Sequence, residues 1–199
     1  VDGTADNGLS LAPVSTLTDG TYVILNTRAN KLVTNAPASA AAAAGAGSGL
    51  NMSGTIRDEV ADIAIWTITA VDGGYTIQDQ DGNYMTIGST TAGVTADPVT
   101  LALNWRGSSW TIAKDGTYLN HFGGGSSTCA AGWQDGSAAG DAGSQFAIYA
   151  YSEEPVGAST EVTFTGVNPG TTELLVGRTR YLITVSGEVH DVQLEVGET

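Results

Sequence analysis

AIWTITAVDGGYTIQDQDGNYMTI, residues 64–87, aligns with VTLALNWRGSSWTIAKDGTYLNHF, residues 99–122, as strand, turn, strand, DG turn, strand. GTYVILNTRANKLVTN, residues 20–35, begins in the same way. Self-similarity at a fixed spacing marks a repeated structural unit and constrains the fold more than any single motif does. Within each copy, β-branched and aromatic residues recur at every second position between DG, GG and NG-like turns, which is the pattern of short strands with one buried face. Helical periodicity is nearly absent. The alanine run Ala40 to Ala44 has no apolar stripe and runs into GAGSG, so it is read as a loop or a single frayed turn.

Extending the repeat outward divides the chain into three units of four short strands. The first has strands near 21–27, 31–35, 49–53 and 64–71; the second near 74–79, 84–88, 93–96 and 99–105; the third near 109–114, 117–122, 128–133 and 145–151. Three such units closing on a pseudo-threefold axis describe an all-β fold, the β-trefoil, with six strands in a barrel and six in a hairpin cap. Alternation then points Tyr22, Ile24, Trp66, Ile68, Tyr75, Ile77, Leu101, Leu103, Trp110, Ile112, Phe146 and Ile148 into the barrel.

Residues 19–154 are assigned to the trefoil. Before them, 1–18 form a polar leader or linker whose apolar residues are Leu9, Leu11, Val14 and Leu17, and which can supply an edge strand. After Ser152, Pro155 and Gly157 punctuate a boundary, and 158–199 form a small β domain or fragment with strands near 161–167, 172–177, 180–186 and 191–196. Asn168-Pro169-Gly170 is its clearest turn, with proline pre-set at the second position and glycine free to take positive φ.

Composition narrows the function. Seven Lys+Arg against 21 Asp+Glu give a net charge of −14, which repels nucleic-acid phosphates and anionic lipid surfaces. Cations and neutral sugars remain as partners. Charged residues make up only 14% of the chain, and Gly, Ser, Thr and Ala abound, as in secreted bacterial β-proteins. The single cysteine, Cys129, rules out an intrachain disulfide and reads as a small buried hydrophobe. No apolar run reaches the roughly 18 residues of a membrane-spanning helix. With no signal-like start, the chain is expected to be a mature or excised piece of something larger. No HExxH, GxSxG, GxxxxGK[ST] or CxxC occurs, so the expectation is that the protein is not an enzyme.

Residues 19–154, with the FGG…GW…SQFAIYAY ending of the third unit, resemble β-trefoils of the ricin-type lectin sort, and trefoil modules of large secreted proteins of gut Gram-positive bacteria. The Gln-x-Trp triplets usual in ricin-type lectins are absent. The tail VTFTGVNPGTTELLVGRTRYLITV is similar to the closing half of group 2 bacterial Ig-like domains. Together these resemblances imply a non-catalytic, carbohydrate-binding, lectin-like module of a multimodular secreted or cell-surface bacterial protein. Its partners would be glycans of host mucosa or diet. The alternatives are an adhesin that binds a host protein, such as an immunoglobulin, and a structural spacer.

In the lectin template, an Asp in a unit's first turn, an aromatic on its third strand and an amide just beyond form the sugar site. A pyranose lays its apolar C–H face on the ring, while fixed carboxylate and amide groups read its hydroxyls. The third unit offers Asp115, Trp133, Gln134 and Asp135, with Asn120 and His121 on the adjoining strand. His121 is expected to face outward beside Leu119. The second unit offers Asp79 or Asp81 with Val94 in place of the aromatic, and the first offers Met52, so the third unit is expected to bind alone. No cofactor is expected. Asp115, Asp135 and Asp141 could hold Ca²⁺ if their loops converge, although Asp beside Gly is commonly a plain turn former. Trp66 and Trp110 are read as core, and Trp105 as core or as a surface stacking residue.

Overall fold

The structure is a computed structural model that describes residues 8–10, 12–39, 48–122, 128–152, 170–176 and 179–185. Two compact units divide the chain, Val1–Ser152 and Glu153–Thr199. The first unit is all-β, with twelve strands: β1 (Gly20–Asn26), β2 (Lys31–Ser39), β3 (Ser48–Ser53), β4 (Ile65–Val71), β5 (Gly74–Gln78), β6 (Tyr84–Ile87), β7 (Ala92–Thr95), β8 (Ala102–Trp105), β9 (Trp110–Lys114), β10 (Thr117–Phe122), β11 (Cys129–Trp133) and β12 (Phe146–Ala150). Among the described residues, three single 3-10 turns accompany them, Asp62–Ala64, Ala138–Gly140 and Ala142–Ser144, and no α-helix occurs. Nor is any described helix long and apolar enough to cross a membrane.

Strand pairing closes a ring. β12 pairs with β1, β1 with β4, β4 with β5, and β8 with β9, while Phe146 opposite Trp110 joins β9 to β12. The remaining gap, between β5 and β8, is bridged by Tyr75 and Leu101, which exchange backbone hydrogen bonds of 2.9 and 2.8 Å. The six strands outside the ring pair as hairpins, β2 with β3, β6 with β7 and β10 with β11, and β11 also pairs with β3. A closed sheet has no edges to protect, and its alternate residues fill the interior.

The twelve residues expected inside the barrel all belong to one hydrophobic cluster, eleven of them buried and Tyr75 partly so. Leu50, Met52, Met85, Ile87, Leu119 and Ala130 of the hairpins extend that cluster. Burying an aliphatic or aromatic side chain contributes about 1.5–3 kcal/mol, so this cluster dominates the stability of the unit. Its two buried indoles also have their polar atoms satisfied: Trp66 Nε1 donates to the Val33 carbonyl at 3.0 Å and Trp110 Nε1 to that of Val14 at 2.8 Å.

The segment before β1 is bound to the barrel. Leu9 bridges to Tyr151, the Val14 N–H donates to the Ile148 carbonyl at 2.7 Å, and Tyr22 Oη donates to the Thr18 carbonyl at 2.8 Å. Leu9 and Leu17 are buried, Leu9 in a second cluster with Val23, Leu25, Ile65 and Tyr149 on the outer side of the ring.

In the second unit, β13 (Gly170–Val176) and β14 (Thr179–Val185) pair antiparallel from Gly170 opposite Val185 to Val176 opposite Thr179. These coincide with the two inner strands expected of the tail. The outer two, near 161–167 and 191–196, lie outside the described residues, as do the alanine run 40–44 and the FGGG loop at 123–125.

Candidate functional site

The β10–β11 hairpin carries the candidate residues, and its geometry begins at Asp115-Gly116. Both take positive φ, 49° and 80°, between Lys114 and Thr117, which pair directly across β9 and β10. A two-residue loop with both central residues left-handed is the type I′ turn, and an Asp-Gly pair meets its demands because Gly has no Cβ and Asp tolerates that region. The turn holds the Asp115 carboxylate in solvent, 2.9 Å from Lys114 Nζ. So exposed a pair contributes about 0–1 kcal/mol and leaves the carboxylate accessible.

Register decides which side chains share a face. Tyr118 lies opposite Trp133, Leu119 opposite Gly132, Asn120 opposite Ala131 and His121 opposite Ala130. Leu119 and His121 are two residues apart, so they point the same way, and both are buried. The expectation that His121 faces outward is therefore corrected: it lies on Leu119's side of the strand. Asn120 points the other way and is buried too, beneath the 3-10 turns at Ala138–Gly140 and Ala142–Ser144. Its Nδ2 donates to Asp141 Oδ1 at 2.8 Å and to Ser144 Oγ at 2.9 Å, and Asp141 Oδ1 also accepts the Gly143 N–H at 2.8 Å. Asn120 and His121 thus support the hairpin from within and do not reach its surface.

The 3-10 cover lies over Asn120, while at the next pair along Trp133 emerges 37% exposed, with Tyr118 beside it partly exposed. Gln134 continues the strand: its Nε2 donates to Thr117 Oγ1 at 2.6 Å, tying the end of β11 to the start of β10. Asp135 then turns the chain away, with its Oδ1 accepting the Ser137 N–H at 2.8 Å and the Ser137 hydroxyl at 2.7 Å. These two hydrogen bonds favour the ionised form and hold the Asp135 carboxyl below its ordinary value. Trp133, Gln134 and Asp135 therefore follow one another at the end of the hairpin where the Asp115 turn also lies, and Asn120 and His121 are excluded from that surface.

Tyr118 is the residue that sequence reasoning missed. Its place opposite Trp133 depends on the register of β10 against β11, which a glycine-rich connection of that length does not set by itself.

The three aspartates do not form a metal centre. Asp135 caps its own turn, Asp141 is bonded to Asn120 and Gly143, and among the described residues no group of three or more His, Cys, Asp or Glu could hold a metal ion. Among the described residues, the other two hairpins lack an exposed aromatic where Trp133 stands in the third, although Asp81 is exposed. Met52 is fully buried, Val94 partly so, and Asp79 is buried with its carboxylate accepting from the Asp81 and Asn83 N–H groups and from Asn35 Nδ2. Trp105 packs its ring 5.4 Å from that of Trp110, tilted by 57°.

No family model matches the chain, and no curated protein matches it. Solved structures do. The ricin B-like lectin of Macrolepiota procera, in complex with lactose, superposes with a TM-score of 0.52 at 14% identity, over 67% of this chain and 96% of that one. The fold is a β-trefoil. The Rhizoctonia solani agglutinin superposes with a TM-score of 0.51 at 15% identity, covering 71% of this chain and all of that one. The Polyporus squamosus lectin, bound to the human-type influenza-binding epitope Neu5Aca2-6Galb1-4GlcNAc, gives 0.50 at 18% identity over 67% of this chain, which spans about half of that lectin at 49%. At such identities the likeness is one of fold, and function has to be argued from the site.

Proposed function

We propose that the trefoil, built as three four-stranded units, is a non-catalytic carbohydrate-binding module and that its third unit holds the sugar. The observation that carries this reading is Trp133, a large aromatic standing partly exposed at a strand end with Gln134 and Asp135 directly after it. An exposed indole gives a flat apolar face for pyranose C–H groups, and carboxylates such as Asp135 and Asp115 accept from sugar hydroxyls. Glycan-binding neighbours of the same fold support the reading. Asn120 and His121, named with these residues from the sequence, would act from below by holding the hairpin in shape.

A site this open has little surface to bury, so a single sugar would bind weakly, in the region of millimolar or about 4 kcal/mol. Useful avidity would come from several modules in one protein. The strands β13 and β14 suit an Ig-like spacer in a multimodular, extracellular or surface-displayed bacterial protein, with glycans of host mucosa or diet as partners. A glycan array probed with the full chain and with Trp133→Ala tests the reading. Binding by the wild type and its loss in the variant support it. A blank array, together with capture of a purified host glycoprotein stripped of its glycans, would replace it with the protein-binding adhesin.

A further inference from the structure

The geometry points to Tyr118 as the second wall of the site, and to an uncharged disaccharide or longer glycan, not a single sugar, as its ligand class. This inference rests on the lectin reading above. Residues directly opposite in an antiparallel pair carry their side chains on the same face with Cβ atoms about 4.5–5.5 Å apart. Tyr118 and Trp133 stand in that relation and both are partly exposed, so one face of the sheet carries both aromatics at its open border.

The next pair on that face is buried, Asn120 under the turns at Ala138–Gly140 and Ala142–Ser144 and Ala131 beside Cys129 and Ala38. The covering segment therefore ends one step short of the two aromatics and leaves them as a ledge at its border. Thr117, joined to Gln134 through a 2.6 Å hydrogen bond, ties the two strands together just beyond the ledge, which fixes the ladder on which both rings stand. Two side-by-side rings can support two consecutive pyranoses, whereas one ring supports one.

Charge selects among such glycans. Asp115 is exposed in the adjoining turn, and Asp135 stays ionised into acid because Ser137 bonds its charged form. Among the described residues, the cation bonded at this end of the hairpin is Lys114, and it is paired with Asp115. A carboxylated or sulphated sugar would meet two carboxylates, with Lys114 already paired to one of them, in a chain of net charge −14.

The test titrates the full chain and its Tyr118→Ala, Tyr118→Phe and Trp133→Ala variants. The probes are lactose, cellobiose, chitobiose and mannobiose, each beside the methyl glycoside of its non-reducing sugar, with sialyllactose as the acidic probe. Circular dichroism checks that every variant is folded, and Tyr118→Phe keeps the ring should Tyr118→Ala unfold. At least one neutral disaccharide should bind more tightly than its methyl glycoside and than sialyllactose. Tyr118→Ala should weaken that disaccharide about threefold to tenfold while leaving the methyl glycoside unchanged, and Tyr118→Phe should retain binding. Equal effects of Tyr118→Ala on both probes, or no effect on either, would overturn the two-ring ledge, and preference for sialyllactose would overturn the uncharged ligand class, each while leaving the lectin reading intact. Binding to none of the probes by a folded wild type, with Trp133→Ala indistinguishable from it, would overturn both.

Discussion

Asn120 reaches across from β10 to Asp141, its side-chain amide donating a 2.8 Å hydrogen bond to the carboxylate that also caps the turn at Ala142–Ser144. A buried amide with two such bonds holds a loop in place, and removing it takes one donor from the partly buried Asp141 carboxylate and leaves the Gly143 N–H as the other. Asn120→Ala is expected to destabilise the trefoil by about 2 kcal/mol in denaturant unfolding. Asn120→Asp, which sets a second carboxylate against Asp141, should cost more at neutral pH and recover on acidification. A loss below about 0.5 kcal/mol for Asn120→Ala would show that the turn segment is held by other contacts.

Gly132 is fixed by close approach. A Cβ there would collide with the Gly88 carbonyl oxygen and crowd Thr117, and the obstacle is backbone that cannot swing aside. Gly132→Ala should lower stability by about 1–3 kcal/mol, as overpacking does. Gly136→Ala, where a Cβ meets nothing within 4 Å, should leave the melting temperature nearly unchanged. Equal melting temperatures for the two variants would contradict the close approach of β11 to Gly88.

Asp135 should titrate below the ordinary aspartate value of about 3.9. The shift arises because the Ser137 N–H and hydroxyl bond the carboxylate and not the acid. A carboxyl depressed in the folded state contributes stability that is present above its unfolded pKa and is lost as pH falls through the lower folded pKa. Ser137→Ala should move the Asp135 titration, followed by NMR of its side-chain carbonyl, part of the way back towards the ordinary value. The Ser137 N–H remains to hold the rest.

Cys129 is buried in β11, and burial pushes its thiol above its ordinary value. Because the thiolate is the reactive species, native protein should resist iodoacetamide at mildly alkaline pH and react fully once unfolded. Rapid native labelling would contradict the packing of β11.

The barrel was legible in the sequence because each of its layers is written twice. Apolar alternation in ITAV and YTIQ gives the strands, and the DG dipeptides give the turns between them, so the residues expected inside, from Tyr22 to Ile148, are found in one cluster. The site was less legible. Asp115, Trp133, Gln134 and Asp135 follow turn and strand-end signals, and all lie at one end of a hairpin. Asn120 and His121 sit on a strand covered on both faces, by the barrel on one side and by the short turns after Ser137 on the other. Alternation tells which residues share a face, and it cannot tell which faces a distant loop will cover. The Tyr118–Trp133 pair was hidden for a related reason, since cross-strand register is a property of the folded hairpin.

The central claim is that sugar meets this protein at Trp133, and its four indole N–H resonances test that directly in one titration. Trp66 and Trp110 have their indole nitrogens bonded to backbone carbonyls in the interior, and Trp105 packs against Trp110. Adding the neutral disaccharides should shift the Trp133 indole resonance, assigned by its disappearance in Trp133→Ala, while those of Trp66 and Trp110 stay in place. Shifts confined to Trp105 or to another hairpin, or no shift of any indole at high sugar concentration, would contradict the account.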